Sequence, residues 1–473
     1  MRATTQTFPN NARVALLDDQ LRLALERAQG GFVNNRQNAV DGLPEFEALR
    51  GAAREIKEHT LGHLDYYLER FEREVVAAGG HVHWASTPQE ACDIVLDICR
   101  EADAKTVTKG KSMVGEEIGI NDALEAGGLE IVETDLGEYI IQLADEPPSH
   151  IIAPAIHKTR DQIGDLFHAH HAQKGHPERL DDAPGLVRQA RSVLRKEFFR
   201  ADVGITGANF LVAETGSSVI VTNEGNGDLS QTLPRVHIVT AALEKVLPTF
   251  EDVGVILRLL ARSATGQEMS SYTTVSTGPR RSDDLDGPEA YHVVLVDNGR
   301  SAMLGGDFHE MLRCIRCGAC LNHCPVYNSV GGHAYGWVYP GPMGSVLTPL
   351  MLGLDKAAHL PNACTLNGRC QQVCPMSIPL PEMLRKLRIK AHQAGHDSKR
   401  VQWGLKLWGC FATRPRLYRF ATGIGMRILA WAGGKKKRLR MLPFAKGWTA
   451  TRDFPAPAGE TFIAAAKKRG LTR

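Results

Sequence analysis

Between residues 314 and 375 the chain reads CIRCGACLNHCP and, after a gap, CTLNGRCQQVCP. The first stretch is a complete C-x2-C-x2-C-x3-C-P run. The second keeps the same frame, but Asn367 stands where a cysteine would complete it. Seven of the chain's 10 cysteines lie in these two stretches, and nothing else in the sequence constrains the fold so tightly. Soft thiolates select iron–sulfur clusters, zinc or Cu(I). Zinc sites favour paired C-x2-C units, so the interlaced triplet points to iron and sulfide. Short spacers let one loop present three sulfurs to neighbouring irons, and the proline turns the chain away. The N-terminus, MRATTQTFPNNARVALLDDQ, has no apolar signal core, and no apolar run has bilayer length. A cytoplasmic location is expected, where thiols stay reduced and cysteine-rich motifs hold metal.

A length of 473 residues calls for two or three domains. Residues 1–75 carry apolar positions at three- and four-residue spacing and are expected to be helical. From 76 to 300 the pattern alternates. HVHWAS, TVTKGKS, LEIVET, HIIAPAI, DVGITGANFLVAE, SSVIVTNEG, RVHIVTA and YHVVLVD read as strands. ACDIVLDICREADA, INDALEAGG, LVRQARSVLRKEFF and TFEDVGVILRLLARSA read as helices between them. That rhythm predicts an α/β domain with a mainly parallel sheet, and the Thr-Gly-Ser turn within FLVAETGSSVIV predicts a hairpin. Residues 301–390 form the cysteine region, expected to be α-helical, and 391–473 a basic helical extension. From Arg385 to Arg473 there are 22 Lys/Arg against 3 Asp/Glu, so the rest of the chain is acidic. Interleaved aromatics in this tail suit either an acidic partner or peripheral contact with the inner face of a membrane. No motif for nucleic acid accompanies the charge. Cys92 and Cys99, seven apart on one helix face, read as core residues, and Cys410, between Trp408 and Phe411, as packing.

The first run is that of bacterial ferredoxins, in which three thiolates wrap one cluster and the fourth reaches the other. The crossing rule assigns Cys314, Cys317, Cys320 and Cys374 to a [4Fe–4S] cluster, and Cys324, Cys364 and Cys370 to a second. The second run resembles the C-x5-C-x3-C-P of the iron–sulfur subunits of succinate dehydrogenase and fumarate reductase, where three cysteines hold a [3Fe–4S] cluster. Either [3Fe–4S], or [4Fe–4S] with its fourth iron open or held by His323, His333 or His359, satisfies the second set.

TKGKSMVGEEIGINDALEAGGLEIVETDLGEYIIQL, HIIAPAIHKTRDQI and GITGANFLVAETGSSVIVTNEGNGDLSQTLPRVHIVTAALEKVLPT resemble the LUD (lactate-utilisation) domain. Joined to a ferredoxin-like dicluster module and a basic extension, the whole chain resembles the lactate-utilisation protein B family. The resemblance implies a sugar-isomerase/CoA-transferase-like α/β fold, two iron–sulfur clusters, and partners of two kinds, an A-type cysteine-rich iron–sulfur protein and a C-type LUD protein. In such folds polar loops at strand ends hold an anionic substrate. Lys109, Lys111, His157, Glu214, Thr215, Asn223, Glu224 and Asn226 are the candidates here, because glycine turns beside lysine suit a carboxylate. No G-x-G-x-x-G fingerprint points to flavin or NAD. The expected function is electron transfer in a multi-protein system oxidising L-lactate to pyruvate. The alternatives are an α/β-domain enzyme using Glu214 or Lys109 on an anionic substrate, and an iron–sulfur subunit of a glycolate-type oxidase.

Overall fold

The structure, a computed structural model, describes residues 3–442 and 445–471. These fall into two compact units, Met1–Gln393 and Ala394–Arg473. The first is α/β with a helical cysteine region, and the second is mainly helical.

Ten strands build the first unit: β1 (His81–Ala85), β2 (Thr106–Gly110), β3 (Glu130–Glu133), β4 (Val203–Gly207), β5 (Phe210–Val212), β6 (Ser217–Thr222), β7 (Val236–Ala242), β8 (Val246–Leu247), β9 (Tyr272–Ser276) and β10 (Ala290–Val296). Six form a sheet in the order β1-β10-β7-β4-β2-β3, parallel throughout. β4 and β7 are buried along their whole length. Helices cover both faces of such a sheet, which is why these strands read as unbroken apolar runs rather than as alternation. The chain runs outward from β2 to β3 and then returns across β2 to β4. The strand order therefore reverses between β2 and β4, the position at which open α/β sheets open a crevice beyond their C-terminal ends.

A second sheet, β8-β5-β6-β9, contains the expected hairpin, β5 against β6. Its turn needs glycine. Gly216 has φ +65°, and a Cβ there would lie 2.3 Å from the Val75 nitrogen of the neighbouring helix Leu64–Ala77. The expected single run DVGITGANFLVAE is two strands, parted at Ala208 and Asn209, where Asn209 Oδ1 accepts from Val221 N–H at 2.9 Å. HIIAPAI is not a strand. Pro154 cannot donate to a ladder, and residues 149–154 close a turn through Ser149 N–H to Pro154 O at 3.0 Å. β8 and β9, two and five residues long, were not expected.

The N-terminal helices, Phe8–Ala15, Asp19–Asp41, Phe46–Gly62 and Leu64–Ala77, match the helical pattern. One apolar core joins Leu25, Phe46 and Leu61 from these helices to Phe210, Val212 and Leu259, and to Met311, Cys317, Tyr339 and Leu387. Cys92 and Cys99 are buried, as expected of core thiols.

In the second unit the helices Lys399–Ala412 and Pro415–Ala432 bury no residue, and Trp403, Trp408, Phe420 and Trp431 are exposed. Cys410 is exposed too, contrary to its reading as a packed residue, with Sγ 2.9 Å from Arg414 Nη1. Among the described residues no helix is long and apolar enough to cross a membrane.

Burial carries an electrostatic cost in the sheet. His237 on β7 is fully enclosed, hydrogen-bonded with Thr206 at 2.8 Å. Burial, and then His292, push its pKa down to about 3. A folded-state pKa below the unfolded value means that the unfolded chain binds the extra proton, so stability is lost as pH falls below about 6.5. His237 contributes a loss of about 1.4 kcal/mol per pH unit between there and its folded pKa. His237→Gln should flatten the fall in urea midpoint between pH 7 and 5 relative to wild type; parallel curves would contradict this.

Candidate iron–sulfur centres and an adjoining cavity

The two cysteine runs fold as a repeated loop. Arg316 and Leu366 occupy equivalent positions with φ of +60° and +56°. Gly318 (φ +75°) and Gly368 (φ +83°) then cap the short helices Ala319–Asn322 and Arg369–Gln372. Such a turn faces successive backbone amides and sulfurs inward.

Cys314, Cys317 and Cys320 of the first loop and Cys374 of the second line one small cavity. Its other walls include Ile151, Met311, Ile315, Met343 and Ile378. The Ala319 amide is directed at Cys317, and those of Met376 and Ile378 at Cys374. Among the described residues none of the four sulfurs donates to an oxygen. As free thiols they are costly to ionise: burial, then Cys374, pushes Cys317 up to about 12. Four crowded sulfurs, two of them receiving N–H groups and none giving a proton to an oxygen, fit metal-bound thiolates, since a coordinating thiol is deprotonated outright. Arg36 donates to Val373 O at 3.0 Å, and Arg50 to Cys374 O at 2.8 and 3.1 Å, fixing the second loop from outside.

Cys324, Cys364 and Cys370 form a second neighbourhood. Tyr327 N–H lies 3.5 Å from Cys324 Sγ and Leu366 N–H 3.3 Å from Cys364 Sγ. Burial, then Cys364 and Cys324, lift Cys370 to about 12. Arg388 holds Cys364 O at 2.8 Å. Asn367 is exposed, and its Oδ1 accepts from Arg369 N–H at 3.1 Å. His359 is exposed, His323 Nδ1 is bonded to Ala319 O at 2.9 Å, and His333 Nε2 to Pro147 O at 2.7 Å. Tyr335 is 0 % exposed, and its hydroxyl has no partner among the described residues. Burial, then Cys324, Tyr327, Cys364 and Cys320, raise its pKa, which puts this unpaired donor among the sulfurs. A buried orphan hydroxyl beside three thiols fits a cluster that accepts its hydrogen bond.

A larger cavity, about 190 Å³, adjoins the first set, with Cys317 and Arg316 in its wall. It lies at the C-terminal ends of β2, β4 and β7, where the strand order reverses. Gly207 permits the close approach there, since a Cβ would sit 2.4 Å from Lys111 O. A buried charge chain ties the sheet to the cysteine loop. Arg300 donates to both Glu117 oxygens at 2.8 and 2.6 Å, and its Nε lies 2.9 Å from Glu244 Oε2. Arg316 Nη2 meets Glu244 Oε1 at 3.2 Å, and Tyr339 O–H donates to Glu117 at 2.6 Å. Burial opposes ionisation of Glu244, but Arg300 and Arg316 outweigh it and hold the carboxyl at about 2.

Of the eight loop residues singled out from sequence, Lys111 and Asn223 line this cavity. Lys111 pairs with Asp135, and with Glu224 at 3.5 Å. Asn226 is buried behind Gly110 with both amide atoms unpartnered among the described residues. The other four are placed elsewhere. Lys109 is fully buried, and β-sheet register sets it opposite Glu133, which it meets at 2.8 Å, as it meets Glu116 at 2.6 Å. Burial disfavours its charge, but these carboxylates outweigh burial and raise its pKa. Glu214 caps the helix Phe250–Ala264 by accepting Phe250 N–H at 2.7 Å, and Thr215 bonds Ser217 at 2.7 Å within the hairpin turn. His157 donates to Glu146 at 2.7 Å, and Lys158 takes the other oxygen. Glu244, Lys245, Arg300 and Arg316 were missed. Their signal was position: the first three follow the predicted strands RVHIVTA and YHVVLVD, and the last lies inside the cysteine run.

Comparison with known proteins agrees with this arrangement. The LUD domain matches residues 68–296, the 4Fe-4S dicluster domain residues 310–378, and the C-terminal region of lactate utilisation protein B residues 384–471. Lactate utilization protein B of Lysinibacillus sphaericus is 44 % identical over 466 residues, covering 98 % of this chain and 97 % of its own. That of Shouchella clausii is 45 % identical over 457 residues, covering 96 % and 95 %. The chain belongs to the lactate utilisation protein B family. A crystal structure of a DUF162 family protein from Deinococcus radiodurans aligns over 49 % of this chain and 98 % of its own at 13 % identity, and its TM-score of 0.27 is too low to bear on the fold.

Two consequences for this family member are measurable. Arg300→Met leaves Glu117 and Glu244 buried without their shared partner and should cost about 3–5 kcal/mol, read as a lower urea midpoint. Tyr335→Phe should keep the iron content and lower the potential of a cluster held by Cys324, Cys364 and Cys370 by on the order of tens of millivolts, because a donor to sulfur favours the reduced state. An unchanged redox titration would mean that the hydroxyl faces no cluster.

Proposed function

We propose that this chain is the iron–sulfur electron carrier of a multi-protein system oxidising L-lactate to pyruvate. One observation carries the reading. Cys374 leaves its own loop and joins Cys314, Cys317 and Cys320 around a single cavity, while Cys324, Cys364 and Cys370 gather separately. That crossing is the arrangement of a two-cluster carrier. Clusters bound there would each accept one electron, matching the two released when a hydroxy acid becomes an oxo acid.

The residues around them have distinct tasks. Cys314, Cys317, Cys320 and Cys374 hold a [4Fe–4S] cluster behind an apolar wall that excludes water. Cys324, Cys364 and Cys370 hold a [3Fe–4S] cluster, since Asn367 is turned to its own backbone and offers no ligand. The A-type and C-type proteins of the system are its partners. The enzyme reading through Glu214 and Lys109 is less well supported, because Glu214 is spent on a helix end and Lys109 on two carboxylates.

In a deletion strain, wild type should restore growth on lactate and Cys317→Ser should not. Rescue by that variant would refute electron transfer through the first cluster. A phenotype on glycolate in place of lactate would favour the glycolate-type oxidase. EPR of anaerobically purified protein decides the second assignment. A strong signal before reduction, stable to added ferrous iron, with about seven irons per chain, is expected. A silent oxidised sample with about eight irons would replace the three-iron assignment.

A further inference from the structure

The second unit leaves most of its apolar surface in water. Among its described residues only Gly433, Leu439, Thr449 and Ala466 are buried. The helices Lys399–Ala412 and Pro415–Ala432 pack against one another, yet neither buries a residue. On the second of them Leu417, Phe420, Ile424, Ile428 and Trp431 are all exposed, Phe420 by 68 % and Trp431 by 84 %. Their spacing of three and four residues gathers them within about 80° of the helix circumference at 3.6 residues per turn. Met426 and Leu429, the half-buried apolar positions, lie outside that arc, so the stripe is a separate face. On the first helix Val401, Leu405 and Trp408, at i, i+4 and i+7, form a similar exposed stripe. Contiguous apolar surface of this kind marks a place where something docks.

Charge says what docks there. Between Asp397 and Asp453 the sequence has 14 Lys/Arg and no Asp or Glu. Arg416 and Arg427, both exposed, border the stripe of the second helix, and the exposed run Lys435–Lys436–Lys437–Arg438 follows its end. The core of a protein interface is depleted of charge, with polar groups at its rim. Here cations flank the apolar residues along the helix itself. A bilayer surface accepts that pattern, because acyl chains and phosphates lie within one helix diameter of each other and long cationic side chains reach back to the headgroups. Tryptophans such as Trp408 and Trp431 suit the same boundary. Neither helix is long and apolar enough to span the membrane.

We propose that the hairpin Lys399–Ala432 lies in the surface of a bilayer carrying anionic phospholipids, with the two apolar stripes inserted and the cations from Arg414 to Arg440 on the phosphates. This goes beyond the electron-carrier reading and does not depend on it.

Flotation of the full chain, loaded with iron and sulfide, on two kinds of vesicle tests this: phosphatidylcholine alone, and phosphatidylcholine mixed with phosphatidylglycerol. Wild type should float with the mixed vesicles, far less with phosphatidylcholine alone, and less as salt rises. The triple variant Lys435→Gln, Lys436→Gln, Lys437→Gln should weaken partition onto mixed vesicles by about a hundredfold, since each cation near an anionic surface contributes close to tenfold. Phe420→Ser with Trp431→Ser, which keeps every charge, should weaken it at least about tenfold. Iron content should be unchanged in both, because the substituted side chains are exposed. Absence of wild-type flotation with mixed vesicles at low salt would overturn the proposal. Wild-type partition in the Phe420/Trp431 variant would also overturn it, since charge alone would then hold the chain and no stripe would be inserted. Light scattering without lipid covers the remaining occupant: a wild-type dimer that this variant dissociates would assign the face to a second copy of the chain, and the proposal would fall.

Discussion

The chain Glu117–Arg300–Glu244–Arg316 is what makes the α/β sheet and the cysteine region one body. Glu117, Arg300 and Glu244 are buried and Arg316 is half-buried, and each is useless alone. Glu117 enters from the helix Met113–Ile118, Glu244 from the turn after β7, Arg300 from the segment after β10, and Arg316 from within the first cysteine loop. Apolar packing of the same volume would stabilise the contact as well or better, because buried ion pairs seldom repay their desolvation. What the ionic chain adds is register. Hydrophobic faces tolerate sliding, whereas a bidentate guanidinium between two carboxylates accepts one geometry. The position of Cys317 relative to the ends of β4 and β7 is thereby fixed.

That fixed position explains why sites of two kinds lie side by side. A parallel sheet opens its crevice where the strand order reverses, and here β2 and β4 supply Lys111 and Gly207 to it. In an isolated α/β domain the crevice would face water. Here the first cysteine loop forms part of its wall, so Arg316 and Cys317 line both this cavity and the cysteine-lined pocket. Arg316 belongs to both, pairing with Glu244 on one side and lying 4.9 Å above the ring of Tyr339 on the other.

The parts of this arrangement that were legible in the sequence are those governed by short-range rules. Cysteine spacing identified both sulfur sets, and the exchange of Cys374 between loops followed from the spacing of the ferredoxin run. Apolar runs located the six strands of the parallel sheet, and Thr-Gly-Ser located the hairpin. HIIAPAI failed because an apolar run says nothing about whether its amides find a ladder, and Pro154 removes one donor. The candidate loop residues divide between crevice and interior for a related reason. Lysine beside glycine looks the same in sequence whether it faces a crevice, as Lys111 does, or is folded inward between Glu116 and Glu133, as Lys109 is. The choice is made by strand register, through partners remote in sequence. Lys245 and Arg300 carry no local motif at all; only the topology brings them to the cavity.

The same topology bears on the energetics of electron transfer. Isolated ferredoxin-type clusters sit at low potential, where a hydroxy acid cannot deliver electrons without an uphill step. Two features here act against that. The first thiolate set lies within electrostatic reach of Lys57, Lys245 and Arg316 around Cys314, and of Arg36 and Arg50 around Cys317 and Cys374. Buried cations favour the more negative, reduced state and raise the potential. The second set carries one thiolate fewer, and removing an anionic ligand works in the same direction. With clusters bound as proposed, a cationic collar at one site and a missing cysteine at the other would be two routes to one end, and Asn367 would belong to the tuning rather than stand as a defect in the motif.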